Sequence, residues 1–237
     1  METNGFKTEK TIGLLLILGA CLLFVPYTLL TITFDYPDVL RLKSGEILSR
    51  FKAGGNPLIW TWFAFALVGL PLLGAYSLIG QQLESRRWYV RLATSIGVIG
   101  LVVQMVGLLR WTFVVPMLAE RYATGNGATQ EAAVVAFQTI HQYGGVVLGE
   151  HMGQLFTILW TLLIATALGS LGLIPRWLKW MAYIASGIYL AAQAELFATV
   201  MPGFPVWDMA GFLGSTLWLL WLILVGVRFL KMKSQQD

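Results

Sequence analysis

The chain has 237 residues, of which 57% are hydrophobic and 12% charged, with a formal net charge of +4. A soluble domain is roughly 45–50% apolar and about 25% charged, so a water-soluble fold of this composition would expose patches that aggregate. The modest charge, spread over several loops, excludes a nucleic-acid footprint, and the mean hydropathy of +0.71 points to hydrocarbon as the solvent.

A spanning helix needs about 20 mostly apolar residues. Six stretches qualify: 11–34, 58–79, 90–118, 144–172, 177–201 and 207–230. The first follows Lys7 and Lys10, as a signal peptide would. Its apolar run continues to Phe34, too long for a cleaved core, and reads as a span. Cys21 lies within it and is expected to be a buried small side chain. Pro57, Pro175 and Pro205 precede the second, fifth and sixth helices, where proline is tolerated. Gly172 and Gly203 follow the fourth and fifth as stops. Pro26, Pro71 and Pro116 are candidate kinks. The predicted fold is all-α, a transmembrane bundle of about six spanning helices in one integral-membrane domain over 1–237.

Two connections carry structure of their own. After the first span, Val39, Leu40, Ile47, Leu48 and Phe51 recur at helical spacing opposite Arg41, Lys43, Glu46 and Arg50. This predicts a short amphipathic helix lying on the outer membrane interface. Between the third and fourth spans, Thr129 is the expected N-cap of a further helix. Trp60, Trp62, Trp88, Trp111, Trp177, Trp180 and Trp207 fall near predicted helix ends, as an aromatic belt requires.

Sidedness follows from the cationic loops. Lys7, Lys10, Arg86, Arg87, Arg91, Arg176, Lys179, Arg228, Lys231 and Lys233 fall on one side, and Arg41, Lys43, Arg50, Lys52 and Arg121 on the other. The ten-to-five bias predicts both termini in the cytoplasm. The expected location is a bacterial inner membrane.

Membrane lipid is the expected partner, and nucleic acid is not. Gly145, Gly149 and Gly153 form a four-residue stripe that lets another helix approach closely. The partner helix belongs to this chain, to a second copy in a homo-oligomer or to another membrane subunit.

Beside the stripe are side chains that are costly in lipid. Arg110, His141, Glu150, His151, Gln154, Glu195 and Asp208 all fall in the predicted outer half, joined by Gln104 and Gln193. Ionisable groups inside a membrane generally face partners or water-filled cavities and mark functional sites. The structural alternatives are a buried ion pair for Arg110, a surface position for His141, a packing role for His151 and a helix cap for Asp208.

The runs Phe34-Asp-Tyr-Pro-Asp38, Arg110-Trp-Thr-Phe-Val-Val-Pro116 and His141-Gln-Tyr-Gly-Gly145 through Gly149-Glu-His151 resemble bacterial multi-pass membrane proteins grouped as a domain of unknown function. The resemblance covers most of the chain. It implies a six-helix bacterial membrane protein and carries over no activity, substrate or cofactor.

Three functions fit these residues. The first is small-molecule or ion binding and transport through an outward polar pocket, with Arg110 holding an anionic group and the acids carrying protons or cations. The second is a membrane subunit or regulator without chemistry. The third is a metal- or haem-dependent enzyme with His141, Glu150, His151 and Glu195 as ligands. No Walker A loop, G-x-S-x-G elbow, C-x-x-C pair or close histidine pair is present, so neither an enzymatic reaction nor a cofactor is assigned. A retinal protein would need a lysine deep in the last helices, and helix six has none before Lys231.

Overall fold

Long apolar runs interrupted by proline and glycine yield helices that are continuous in places and broken in others. In the computed structural model, residues 2–232 are described, with side chains from Thr8 onward. The helices are α1 (Glu2–Phe34), α2 (Ser44–Leu67), α3 (Leu70–Leu83), α4 (Tyr89–Phe113), α5 (Val115–Thr124), α6 (Gly127–Ile140), a π-helical segment (His141–Met152), α7 (Gly153–Ser170), α8 (Arg176–Ala191), α9 (Gln193–Ala198) and α10 (Ala210–Leu230). A 3-10 turn spans Asp38–Arg41, and no strand occurs among the described residues.

Five helical stretches among the described residues are long and apolar enough to cross a bilayer: Thr8–Phe34, Ser44–Leu83, Tyr89–Thr124, Gly127–Ser170 and Ala210–Leu230. The stretch expected at 177–201 is divided. The 16-residue α8 covers about 24 Å at ~1.5 Å per residue, short of a ~30 Å hydrocarbon core. Ala192 then ends it, and α9 follows.

Other boundaries moved for local reasons. Gly55 at φ +57 interrupts α2 just before Pro57. Pro116 sits at the start of α5 after the break at Val114. Gly172, at φ +70, ends α7, with Leu173 N–H donating to the Leu168 carbonyl at 2.9 Å. The N-cap of α6 is Asn126 rather than Thr129: its Oδ1 accepts from the Thr129 N–H at 3.0 Å. Asp208 does not cap α10, whose N-cap is Met209. Cys21 is exposed, not buried.

The chain divides into two compact units: Met1–Cys21, Leu70–Val102 and Gly153–Asp237 form the first, Leu22–Gly69 and Val103–Met152 the second. In the first, α8 packs against both α10 and α7. The rings of Tyr76 and Trp160 stack at 3.5 Å, and Trp221 meets Trp160 edge-on at 6.1 Å. Trp221 Nε1 donates to the Leu178 carbonyl at 3.1 Å. Trp221→Phe keeps most of the packing and removes this one hydrogen bond, while the carbonyl keeps its place in α8, so a loss of about 0.6–1 kcal/mol is expected in denaturant titration.

In the second unit, α2 packs on α5, and α5 on α6. The apolar face expected to rest on lipid does not. Val39, Ile47, Leu48 and Phe51 are buried in the unit's own core with Leu30, Phe34, Trp62, Trp111 and Phe137. The tryptophans divide accordingly. Trp60, Trp88, Trp177, Trp180 and Trp207 are exposed, as a belt requires, whereas Trp62 and Trp111 stack at 4.7 Å as core residues.

Candidate functional site

Three of the expected site residues, His141, Glu150 and His151, lie in the His141–Met152 segment, whose backbone is π-helical. A π-helix bonds i to i+5, is rare, and recurs at functional sites. Gly144, Gly145 and Gly149 lie within it. Angular relations reckoned for an α-helix, such as a single stripe through Gly145, Gly149 and Gly153, do not hold across these turns.

The glycines instead make room for α4. A Cβ on Gly107 would lie 2.6 Å from the Gly149 Cα and 2.7 Å from the Gly144 carbonyl oxygen, so backbone meets backbone there. At Gly145 the space a Cβ would need is filled by the Arg110 guanidinium, whose Cζ would be 2.7 Å away. Gly153 approaches α4 as well, its carbonyl oxygen 3.6 Å from a Cβ placed on Gly100. These glycines thus face a helix of the same chain.

Arg110 is 7% exposed. Its Nη1 donates to the Gly107 carbonyl, one helical turn back on α4. Its Cζ lies 5.3 Å from the centroid of the Trp111 ring, within cation–π reach. Glu150 and Tyr36 are within electrostatic reach of the guanidinium. Its Nε is buried and has no hydrogen-bond partner among the described residues.

His141 is in the same unit and within electrostatic reach of Arg110. Its ring stacks on Phe137 at 5.3 Å and meets Trp111 edge-on at 6.0 Å. Its Nδ1 is also buried without a partner among the described residues. It is therefore part of the aromatic core and not a surface histidine. Natively folded chains leave few buried polar atoms unsatisfied, and each one calls for an explanation.

The other expected site residues are placed differently. His151 is half-buried near the end of the π-helical segment. Gln154, Glu195 and Asp208 belong to the first unit. There the buried Gln193 donates through Nε2 to Gln154 Oε1, tying α9 to α7. Glu195 is half-buried on α9, and Asp208 is exposed in the turn before α10. No group of three or more His, Cys, Asp or Glu side chains among the described residues is arranged to hold a metal ion. Of the alternative ligand set, His141, Glu150 and His151 belong to the second unit and Glu195 to the first.

Sequence reasoning missed three contributors. Gly107 supplies both the close approach and the carbonyl that holds Arg110, and its spacing three residues before an intramembrane arginine was the available signal. Trp111 looked like a belt residue and is instead the ring under the guanidinium. Tyr36 lies far from Arg110 in sequence, and only the fold brings it near.

Long apolar helices, broken by glycine and proline around a buried arginine, define a multi-pass helical membrane protein. Residues 11–226 match the family described as Domain of unknown function (DUF4386), and the chain belongs to that family. Neither the curated proteins nor the solved structures contain a match.

Proposed function

We propose that this protein binds a small anion within the membrane and carries it across. The observation that supports this reading is Arg110: a buried guanidinium seated against Gly144 and Gly145, beside His141, with Arg110 Nε and His141 Nδ1 both without a hydrogen-bond partner among the described residues. A carboxylate or similar oxyanion supplies acceptors for such donors. Arginine suits this role because its planar fork keeps its charge and fixes the direction of its bonds. Glu150 would balance the charge while the site is empty, which keeps a lone cation out of hydrocarbon.

The reading extends to sidedness. With both termini in the cytoplasm of a bacterial cell, Arg110 and the π-helical segment lie in the outer half of the inner membrane. The ten-to-five bias of cationic residues supports this. Lys233 and the Lys7 side chain, both part of that count, lie outside the described residues.

The test is thermal unfolding of the purified protein in mild detergent with acetate, benzoate, succinate or inorganic phosphate. At about 100 times its Kd, a bound anion stabilises the native state by about 2.7 kcal/mol. At least one probe is expected to stabilise the wild type and leave Arg110→Gln unmoved. Equal stabilisation of both, or none of the wild type by any probe, would contradict the proposal. No specific observation favours the enzyme reading or a purely structural subunit.

A further inference from the structure

The end of α1 carries a second polar feature, in the second unit and separate from Arg110 in the chain. A cleft of about 400 Å³ is lined by Ile32, Thr33, Phe34 and Asp35 from α1 and its end, and by Arg50, Ala53 and Gly54 from α2. That volume falls within the ~300–1,000 Å³ of small-ligand sites.

Its chemistry is two-sided. Arg50 Nη1 lies 3.5 Å from Asp35 Oδ2, and Nη2 donates to Glu46 Oε1 at 2.9 Å. The Asp35 carboxylate is 66% exposed and, among the described residues, its ion pair is this long contact with Arg50, so it retains acceptor capacity. Asp35 adopts φ +58, a region a non-glycine residue rarely visits without cause. Backbone bonds hold it there, with Val39 N–H donating to the Asp35 carbonyl at 2.8 Å. The turn thus fixes a carboxylate next to a guanidinium.

The position in the chain suits a headgroup. Asp35 directly follows the apolar span Thr8–Phe34. Ile32, one turn earlier on the cleft wall, is 76% exposed and lies in that apolar span.

We infer that the cleft of Asp35 and Arg50 binds the headgroup of a phospholipid bearing both a phosphate and a primary ammonium. Arg50 receives the phosphate, and Asp35 accepts from the ammonium. The exposed apolar wall at Ile32 receives the chains. A bilayer phospholipid is the occupant, because a soluble zwitterion would forgo that wall.

Native mass spectrometry of the full chain, released from detergent doped equally with phosphatidylethanolamine, phosphatidylcholine and phosphatidylglycerol, tests this. Phosphatidylcholine offers no N–H donor to Asp35, and phosphatidylglycerol has no ammonium. The wild type is expected to retain phosphatidylethanolamine about tenfold over either, ~1.4 kcal/mol. Asp35→Asn should abolish that preference, and Arg50→Gln should weaken retention of all three. Ala53→Phe fills the cleft without changing charge and should lower retention of all three and remove the preference, whether or not the charge variants fold well. Lys52→Gln, which breaks only the ion pair to Glu120, should leave the preference intact. No preference in the wild type, or a preference that survives Asp35→Asn and Ala53→Phe, overturns the inference. So does displacement of the lipid by soluble glycerophosphoethanolamine at equal concentration.

Discussion

Trp111→Ala should destabilise the protein by about 3 kcal/mol, the low end of the ~3–5 found for deleting large aromatic residues from cores. The low end applies because, in lipid, burial itself drives little association. What is lost is contact. The ring is 1% exposed. It stacks on Trp62 at 4.7 Å and on Phe51 at 5.6 Å, and it meets Phe34 and Phe137 edge-on at 5.6 and 5.9 Å. Ring pairs of this kind contribute beyond their contact area, and no neighbouring ring can swing in to fill the void without leaving another. The guanidinium of Arg110 would lose the aromatic face beneath it, so anion-dependent stabilisation should fall too. Trp88→Ala is the control. That ring is 82% exposed, and its removal should leave the melting temperature in detergent unchanged.

Gly107→Ala should be nearly as damaging although it adds one methyl group. A Cβ at this position would sit 2.6 Å from the Gly149 Cα and 2.7 Å from the Gly144 oxygen, both backbone atoms. A flexible side chain could turn aside; two helix backbones must separate. Overpacking of this kind costs about 1–3 kcal/mol, and the upper part of the range is expected because backbone has to move. Separating α4 from the π-helical segment also shifts the Gly107 carbonyl that holds Arg110, so binding and stability should decline together. Gly187→Ala makes the comparison. A Cβ there meets nothing within 4 Å, and replacing a mid-helix glycine should be neutral or stabilising by about 0.5–1 kcal/mol.

These two positions show where the sequence could be read and where it could not. Helix existence was legible, because apolar runs as long as Thr8–Phe34 or Ala210–Leu230 have no other stable state in hydrocarbon. The break at Ala192 was not legible, since neither glycine nor proline marks it. The amphipathic pattern from Val39 to Phe51 indicated one short helix, whereas Val39 and Leu40 lie in a separate 3-10 turn and Ile47 to Phe51 open the longer α2. Periodicity reports that a face is covered and not by what, and here the protein's own aromatic core covers it. Trp62 and Trp111 were misread for the same reason: a tryptophan near a helix end satisfies a belt and a core equally well.

For the site, the cost of charge in lipid singled out Arg110, His141, Glu150, His151, Glu195 and Asp208, and the first four fall in one unit. Gln154 was added because it lies four residues from Glu150, and in the fold it bonds Gln193. The π-helical geometry of His141–Met152 could not be anticipated, because every angular argument presumed ~3.6 residues per turn.

The most direct measurement is an experimentally determined structure of the protein in lipid, read at the Arg110 guanidinium. The account predicts density for a small anion in contact with Arg110 Nε, seated beside Gly145 and His141, and absent from the same map of Arg110→Gln. A guanidinium whose every nitrogen is bonded to protein groups, with no space beside Gly145, would contradict it.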